Sequence, residues 1–246
     1  MCVAERAISH PMENLSDAFA TAIHLLVTLD ADLIEIVALS LEVSLVAVLL
    51  AALVGLPFGA WVAISQFPGR GAVIVAMNAL MGLPPVVVGL LVYLLLSRSG
   101  PMGFLGWLFT PTAMIVAQFV IITPLIAALS RQAIEDLWEE YRELLLSLAV
   151  GRRAVIATLL WDGRHRLLTT LLAGYGRAIA EVGAVIIVGG NIAHVTRVMT
   201  TAIALETSKG DLALALGLGI VLLLISLVIN SLAALGGQRA EVAQRS

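Results

Sequence analysis

The sequence contains one cysteine, Cys2, and one lysine, Lys209, and both scarcities exclude whole classes of protein. A single cysteine cannot form a disulfide within the chain, and Cys2 has no neighbouring residues that would complete a metal-binding motif. Because Lys209 is the sole lysine, there is also no Gly-x-x-x-x-Gly-Lys-Ser/Thr loop to bind ATP phosphates. The chain is therefore not expected to hydrolyse ATP by the P-loop mechanism.

The residue patterns of common active sites are missing too. The four histidines are scattered along the sequence, without the spacing of a metal site. No arrangement of a serine or cysteine nucleophile with a histidine base is recognised in the sequence. The arginines lie between apolar segments and form no basic patch of the kind that binds nucleic acid. The sequence thus predicts no metal, no cofactor, no nucleic-acid partner and no enzymatic activity.

Charged residues are also scarce, at 13% of the chain, whereas 60% of the residues are hydrophobic. The mean hydropathy of +1.03 is far above that of an ordinary soluble domain. Of the 14 basic and 17 acidic residues, 12 lie between Arg131 and Arg166, so long stretches elsewhere carry no charge. This distribution predicts an all-α polytopic membrane protein, surrounded by lipid, with one large hydrophilic loop.

Five apolar runs are long enough to cross a bilayer, which takes about 20 residues in a helix. One of them, Leu167–Gly190, has Arg177 and Glu181 near its middle. The shorter stretch Ala18–Leu29 contains His24 and predicts an interfacial or re-entrant segment. No cleavable signal peptide is expected, because charged residues interrupt the N-terminal region. The other four predicted spans are Val43–Ile64, Gly71–Ser97, Thr110–Ser130 and Leu212–Leu235.

The predicted orientation follows from the basic residues, because cytoplasmic loops are enriched in lysine and arginine. Placing residues 131–166 in the cytoplasm puts nine basic residues on that side and four outside. The N-terminus is then outside and the C-terminus inside. The chain divides into an extracytoplasmic or interfacial segment, 1–32, a permease domain, 33–235, with its cytoplasmic segment 131–166, and a cytoplasmic tail, 236–246.

Prolines interrupt three of the predicted spans. Pro57 and Pro124 are single prolines, and we interpret them as ordinary kinks of membrane helices. Pro84 and Pro85 are consecutive, so they are expected to break a whole helical turn near mid-membrane. We assign Pro84 and Pro85 to a translocation pathway or gate.

The hydrophilic loop contains an amphipathic stretch. Residues 135–143 are rich in acidic side chains, and residues 144–151 are rich in leucine. A leucine face on a loop outside the bilayer predicts a protein partner, because water alone does not cover an apolar surface. Gly151 is expected to end this helix, since glycine accepts the left-handed conformation found at helix C-termini.

This stretch resembles the cytoplasmic motif of the permease subunits of binding-protein-dependent ABC importers, a Glu-Ala-Ala stretch followed by a glycine and a Leu-Pro pair. Glu143 matches the glutamate, and Leu148 matches a hydrophobic position. Leucines replace the alanines, Ala149 replaces the glycine, and Gly151 matches a small residue beyond it. In that family the segment is a coupling helix that inserts into a groove of the ATPase subunit. The resemblance implies that the coupling residues are Glu143, Leu145, Leu148, Ala149 and Gly151.

The second half of the chain is similar to the tungstate, molybdate and sulfate branch of these importers, above all to tungstate permeases. The resemblance covers roughly residues 30 to 235 and implies a five-span type I permease core in the cytoplasmic membrane. It also implies a homodimer that works with ABC ATPase subunits, which bind the ATP, and with an extracytoplasmic substrate-binding protein. Molybdate and sulfate are the alternatives to tungstate. The residues that carry the resemblance are 82–90, 97–101, 176–184, 188–192 and 196–210.

The charged residues of the fourth span support a transport pathway independently. Arg177 and Glu181 are four residues apart, so they share a helix face and can pair. A charge near the bilayer centre costs about 2.5–3.5 kcal/mol, so two of them need pairing, a wet cavity, or both. We assign the pair to the pathway or gate, with a purely structural ion pair as the alternative. Small residues at the same spacing let helices pack closely, and these are Gly176, Ala180 and Ala184.

Two further hypotheses concern the transported ion. Hydroxyl and cationic side chains between the fourth and fifth spans suit an entrance for an oxyanion. The alternative to an ABC permease is a secondary transporter with Glu181 as a proton relay and Arg177 as an anion ligand. Such carriers show internal repeats, and the segment containing this pair has no clear second copy. The side chains of the predicted entrance are Thr196, Arg197, Thr200, Thr201, Thr207, Ser208 and Lys209.

Overall fold

The computed structural model describes Ile23, residues 31–148 and residues 150–245, and all regular structure within these ranges is helical. The predicted all-α class is therefore confirmed. The predicted interfacial stretch Ala18–Leu29 lies outside the described residues, apart from Ile23. In chain order the helices are α1 (Ala31–Ile64), α2 (Arg70–Met81), α3 (Pro85–Leu96), α4 (Pro111–Ser147), α5 (Arg152–Asp162), α6 (Arg164–Ile179), α7 (Gly183–Gly189), α8 (Met199–Lys209) and α9 (Leu212–Arg245), with a 3₁₀ turn at Gly103–Leu105.

Helices α1 and α4 pack side by side along much of their length, and each is long and apolar enough to cross a membrane alone. Pro57 lies inside α1 and Pro124 inside α4, and neither ends its helix, so the interpretation of both as kinks stays a prediction. Gly59 allows the two backbones to approach closely, because a Cβ atom there would lie 2.3 Å from the Ala127 carbonyl oxygen. This pair of helices forms the frame on which the other elements pack.

Helix α4 extends beyond the predicted third span. The span was expected to end at Ser130, but the helix has 37 residues and continues to Ser147, a length of about 55 Å at 1.5 Å per residue. The acidic stretch 135–143 is therefore part of the same rod as the membrane-spanning helix. The prediction for Gly151 is wrong, because α4 ends before it. Gly151 has φ −66° and ψ 148°, an ordinary extended conformation, and precedes α5.

The chain bends sharply at the two consecutive prolines. Helices α2 and α3 meet at an angle of 97°, which confirms the predicted break and shows that residues 71–97 are not one straight helix. Pro84 has an extended backbone, as expected for a residue that precedes a proline. Pro85 occupies the first turn of α3, where a missing N–H leaves no hydrogen bond unmade.

The predicted fourth span is also bent. Helices α6 and α7 meet at 58°, with a break between Ile179 and Gly183. Counting each bent pair as one crossing gives up to four membrane spans among the described residues. The fifth predicted span lies in α9, whose described apolar stretch is Leu214–Ile229. A membrane protein with several spans is thus confirmed, and the number five stays a prediction.

Ion pairs place residue 70 at the same end of the bundle as the hydrophilic segment. The Arg70 guanidinium lies 2.6 Å from a carboxylate oxygen of Glu135. It also donates to the carbonyls of Val62 and Ala63, which are left free at the C-terminal end of α1. Arg131 binds the other carboxylate oxygen of Glu135. This network ties the connection between α1 and α2 to the middle of α4.

Candidate translocation gate and coupling surface

The predicted pair of charges forms in the structure. The Arg177 guanidinium lies 2.6 Å from Glu181 Oε2. The two partners differ in burial, since the Glu181 side chain is 5% exposed and the Arg177 side chain 40%. Glu181 is thus inside the protein, whereas Arg177 reaches from it towards the surface of the chain.

The ion pair stands at the break between two helices. Arg177 lies in the last turn of α6, where a positive charge interacts favourably with the helix dipole. Glu181 precedes α7, and its Oε1 atom accepts a hydrogen bond of 3.3 Å from the Ala184 N–H in the first turn of that helix. A carboxylate at this position satisfies a backbone donor and the positive end of the α7 dipole. The order of the two charges therefore matches the two helix ends.

Side chains from two other helices bind the backbone of this break. Gln118 on α4 donates a 3.1 Å hydrogen bond to the Ala178 carbonyl. Thr200 on α8 donates a 2.9 Å hydrogen bond to the Glu181 carbonyl. A carbonyl that a broken helix leaves without a backbone partner needs such a donor in a membrane, where water is scarce. The Ala178 carbonyl also accepts from the Glu181 N–H, so its bond to Gln118 is a second one. The bend of α6 and α7 is therefore held by α4 and α8.

The two broken helix pairs lie against each other. A Cβ atom on Gly183, at the start of α7, would lie 2.6 Å from the Val86 side chain, at the start of α3. The same position is 3.7 Å from Glu181 Oε1. The structure thus brings the turn at Pro84 and Pro85 next to the ion pair, and the assignment of both to a pathway or gate stays a prediction. We call the two breaks and the ion pair the gate region.

The three small residues predicted as one packing stripe are divided by the break. Ala184 on α7 is fully buried and packs on α3, where a Cβ atom added to Gly89 would lie 2.6 Å from the Ala184 Cα atom. Gly176 faces open space, since a Cβ atom there would meet nothing within 4 Å. Ala180 is exposed. The prediction of a single packing stripe is therefore wrong. Of its three residues, Gly176 and Ala180 do not pack against another helix as Ala184 does.

Most of the predicted oxyanion entrance is used to hold its own loop. Thr196 is fully buried, and its hydroxyl donates to the Gly189 carbonyl at 2.6 Å. The buried Thr201 hydroxyl is engaged by Asn191, and Lys209 pairs with Glu206 at 2.9 Å. Thr200 already binds the break, and the Ser208 hydroxyl donates to a carbonyl of its own helix. Thr207 is exposed, and Arg197 has a buried Nε atom without a partner among the described residues.

The leucine-rich end of α4 has an exposed and a buried side. Leu144, Leu146 and Leu148 are 58%, 60% and 62% exposed, and we call them the leucine surface. Leu145 is only 9% exposed and packs in an internal cluster with Leu159 of α5. The assignment of Leu145 to a docking face is therefore corrected, because α5 covers it.

The remaining predicted coupling residues surround this surface. Glu143 and Gly151 are exposed, so both are accessible to a partner. Ala149 lies outside the described residues.

One group of exposed side chains was missed because its members are distant in sequence. Asp32, Glu35 and His194 place carboxylate oxygens and an imidazole nitrogen within 4.8 Å of one another, close enough to share a metal ion. His194 Nδ1 lies 2.8 Å from Glu35, and this hydrogen bond is the main cause that raises the pKa of His194. Asp32 raises the same pKa and Arg197 lowers it. His194 has a left-handed backbone conformation, with φ 58°.

The chain matches known transport proteins over most of its length. Residues 55–242 match the family described as "Binding-protein-dependent transport system inner membrane component". The chain is 40% identical over 220 residues to the tungstate uptake system permease protein TupB of Peptoclostridium acidaminophilum, which covers 89% of this chain and 96% of that protein.

Two other relatives are similar over comparable lengths. A probable anion ABC transporter permease protein of Haloferax volcanii is 41% identical over 207 residues, 82% of this chain and 89% of that protein. The molybdenum transport system permease protein ModB of Escherichia coli is 31% identical over 226 residues, 84% of this chain and 96% of that protein. The chain therefore belongs to the family of binding-protein-dependent transport system inner membrane components.

Proposed function

We propose that this chain is the permease subunit of an ABC importer that carries tungstate across the cytoplasmic membrane. The observation that carries the proposal is the 40% identity to a tungstate uptake permease over 96% of that protein's length. A second tungstate uptake permease, from Campylobacter jejuni, is 35% identical over 219 residues. Relatives named for molybdenum and sulfate are 27–31% identical, so molybdate and sulfate are the alternative substrates.

The working assembly in this proposal has two copies of the chain, two ATPase subunits that bind and hydrolyse ATP, and an extracytoplasmic binding protein. The N-terminus is outside and the C-terminus is in the cytoplasm. The grouping of Arg70 with Arg131 at one end of the bundle supports this orientation, because both belong to the predicted cytoplasmic side. The exposed Ala180, and Gly176, where an added Cβ atom would meet open space, are where the backbone of a second copy can approach closely.

The leucine surface is the proposed docking site for the ATPase. Three leucines, each more than half exposed, lie at the C-terminal end of α4, with Leu144 and Leu148 on one face and Leu146 on another. The exposed Glu143 beside them supplies a charge at the rim of the apolar surface. An apolar centre with a polar rim is the usual composition of a protein interface.

Helix α4 connects docking to the gate region. Leu146 and Gln118 belong to one continuous helix and are separated by about 42 Å at 1.5 Å per residue. At its far end Gln118 binds the Ala178 carbonyl at the break of α6 and α7. When ATP closes the ATPase pair, α4 moves with it and changes the bend beside Arg177 and Glu181. The arginine then compensates the charge of a passing oxyanion, and the carboxylate limits how tightly the anion is held.

The experiment that tests the function is uptake by the importer reconstituted in vesicles with ATP inside. Radioactive or mass-labelled tungstate is supplied with its binding protein, and molybdate or sulfate is added as a competitor. We expect ATP-dependent uptake of tungstate, and we expect that sulfate in excess over tungstate does not suppress it. Uptake of molybdate or sulfate in preference to tungstate would replace the proposed substrate. The isolated chain, tested in the same way, should show no ATP hydrolysis.

A further inference from the structure

A small polar cavity lies behind the ion pair, on the inner side of the break. Its volume of about 10 Å³ is close to the smallest space that holds one water molecule. Four elements meet there: α1, α4, the break between α6 and α7, and the start of α8. The polar side chains that line the cavity are Ser40, Ser44, Gln118, Glu181 and Thr200.

Gln118 presents an unpaired acceptor to this cavity. Its side chain is 4% exposed, and its Nε2 atom donates to the Ala178 carbonyl. Because a carbonyl can only accept, this bond fixes which end of the amide is the nitrogen and leaves Oε1 as the other end. Oε1 is buried and has no partner among the described residues. A buried acceptor without a donor is costly, so a donor is expected in the cavity.

Most neighbouring side chains cannot supply that donor. The Ser40 hydroxyl donates to the Ile36 carbonyl, and the Thr200 hydroxyl donates to the Glu181 carbonyl. Glu181 accepts from Ala184 and from Arg177 through its two oxygens. Ser44 also lines the cavity, but its hydroxyl is not within hydrogen-bond geometry of Gln118 Oε1, because that oxygen has no partner among the described residues. We therefore expect the donor to come from outside the chain and to bring its own hydrogen atoms.

The charges around the cavity select the kind of occupant. An anion is disfavoured, because a carboxylate and a carbonyl oxygen line the space. A metal cation is disfavoured as well, because the guanidinium of Arg177 already compensates the charge of Glu181. Water is neutral, has the right size and can donate twice, once to Gln118 and once to Glu181.

We propose that this cavity binds one ordered water molecule, and that Gln118 is a positioning residue that acts on the gate through this water and through the Ala178 carbonyl. The inference rests on the proposed function of the ion pair as a gate. It gives α4 two attachments to the break, one direct and one through water. Movement of α4 then changes the position of Glu181 without any direct contact between Gln118 and the transported ion.

The first test is a structure of the complete importer, with its ATPase and binding protein, at a resolution that shows ordered water. Density for one water within hydrogen-bond distance of Gln118 Oε1 is the expected result. An empty cavity, with Gln118 still bound to the Ala178 carbonyl, would overturn the water site. A metal ion in its place, recognised by short distances to several oxygen ligands, would overturn it too.

The second test separates positioning from general stability. In the reconstituted importer, Gln118→Leu should lower the tungstate transported per ATP hydrolysed by about fivefold, the factor that corresponds to one hydrogen bond. Gln132→Leu, a change at an exposed glutamine of the same helix, should leave this ratio unchanged. If uptake and ATP turnover fall together in Gln118→Leu, the residue is only structural and the positioning role is refuted.

The outcomes also distinguish this inference from the proposed function. If the wild-type importer carries tungstate and Gln118→Leu couples normally, the inference alone fails. If the wild-type importer carries none of the three oxyanions, the proposed function fails, and the density beside Gln118 still decides whether the water site exists.

Discussion

Removing either partner of the ion pair should have unequal effects on stability. Arg177→Gln leaves the 5% exposed Glu181 carboxylate without its guanidinium, and breaking a buried pair in this way costs about 3 kcal/mol. Glu181→Gln leaves Arg177, which is 40% exposed and reaches solvent, and Gln retains an oxygen for the Ala184 N–H. We expect this second change to cost about 1 kcal/mol or less, because the lost attraction is partly screened.

The assay is thermal unfolding of the purified variants in one detergent, heated at one rate so that the midpoints are comparable. Arg177→Gln should have the lowest midpoint. The double variant, Arg177→Gln with Glu181→Gln, should recover most of that loss, because no unpaired charge is left inside. Equal midpoints for the two single variants, or a double variant as unstable as Arg177→Gln, would refute the reasoning from burial.

The same double variant distinguishes a gate from a structural brace. If Arg177 and Glu181 only hold α6 and α7 together, a variant with restored stability should also regain transport. If the pair forms part of the pathway, the stable double variant should still bind the ATPase and yet carry little tungstate. Normal uptake by this variant would contradict the assignment of the pair to the pathway.

Three further predictions follow from exposure and backbone geometry. Leu146→Asp should weaken copurification of the ATPase with little change in thermal stability. Leu145→Asp should instead destabilise the chain itself, since it places a charge in an internal cluster. If both variants weaken ATPase docking equally, the leucine surface is not the docking site. Gly151→Val should change stability by less than about 0.5 kcal/mol, because the added side chain meets open space. Gly89→Val should instead unfold or misassemble the chain, and a normal melting midpoint for this variant would contradict the packing of α3 on α7. The folded-state pKa of His194 is raised, so its pair with Glu35 stabilises the fold below the ordinary pKa of 6.5 and is lost as pH rises through the raised value. The difference in thermal unfolding midpoint between wild type and His194→Gln should therefore shrink as pH increases, and a constant difference would refute the pairing.

The sequence predicts best those features that depend on local chemistry. Consecutive prolines at 84 and 85 cannot continue a helix, so the bend of α2 and α3 follows from the residues alone. Arg177 and Glu181 pair as their spacing of four residues predicted, although Glu181 lies just beyond the end of α6. Their position in an apolar run made them candidates for a functional site. These two predictions needed no knowledge of which helices pack together.

Features that depend on packing between helices could not be predicted in the same way. Leu145 is equivalent to its leucine neighbours in sequence, and only the position of α5 buries it. Helix α4 extends past Ser130 because helix formation does not stop where apolarity stops. Gln118 is a single uncharged polar residue in an apolar run, and its hydrogen bond to the Ala178 carbonyl depends on how α4 packs against α6. A polar side chain of this kind inside a predicted span was the available signal, and it was overlooked.

The break in the fourth span shows how charge and bend depend on each other. A continuous α6–α7 helix would give the Glu181 carbonyl a backbone partner and would leave no free N–H for the Glu181 carboxylate. At the bend the carboxylate accepts from the Ala184 N–H, and the Thr200 hydroxyl donates to the Glu181 carbonyl. The Ala178 carbonyl accepts from both the Glu181 N–H and the Gln118 side chain. The cost of an irregular backbone is thus offset only while the ion pair and the two neighbouring helices keep their positions. In the proposed mechanism, movement of α4 changes the angle of this bend through these contacts, as a gate requires.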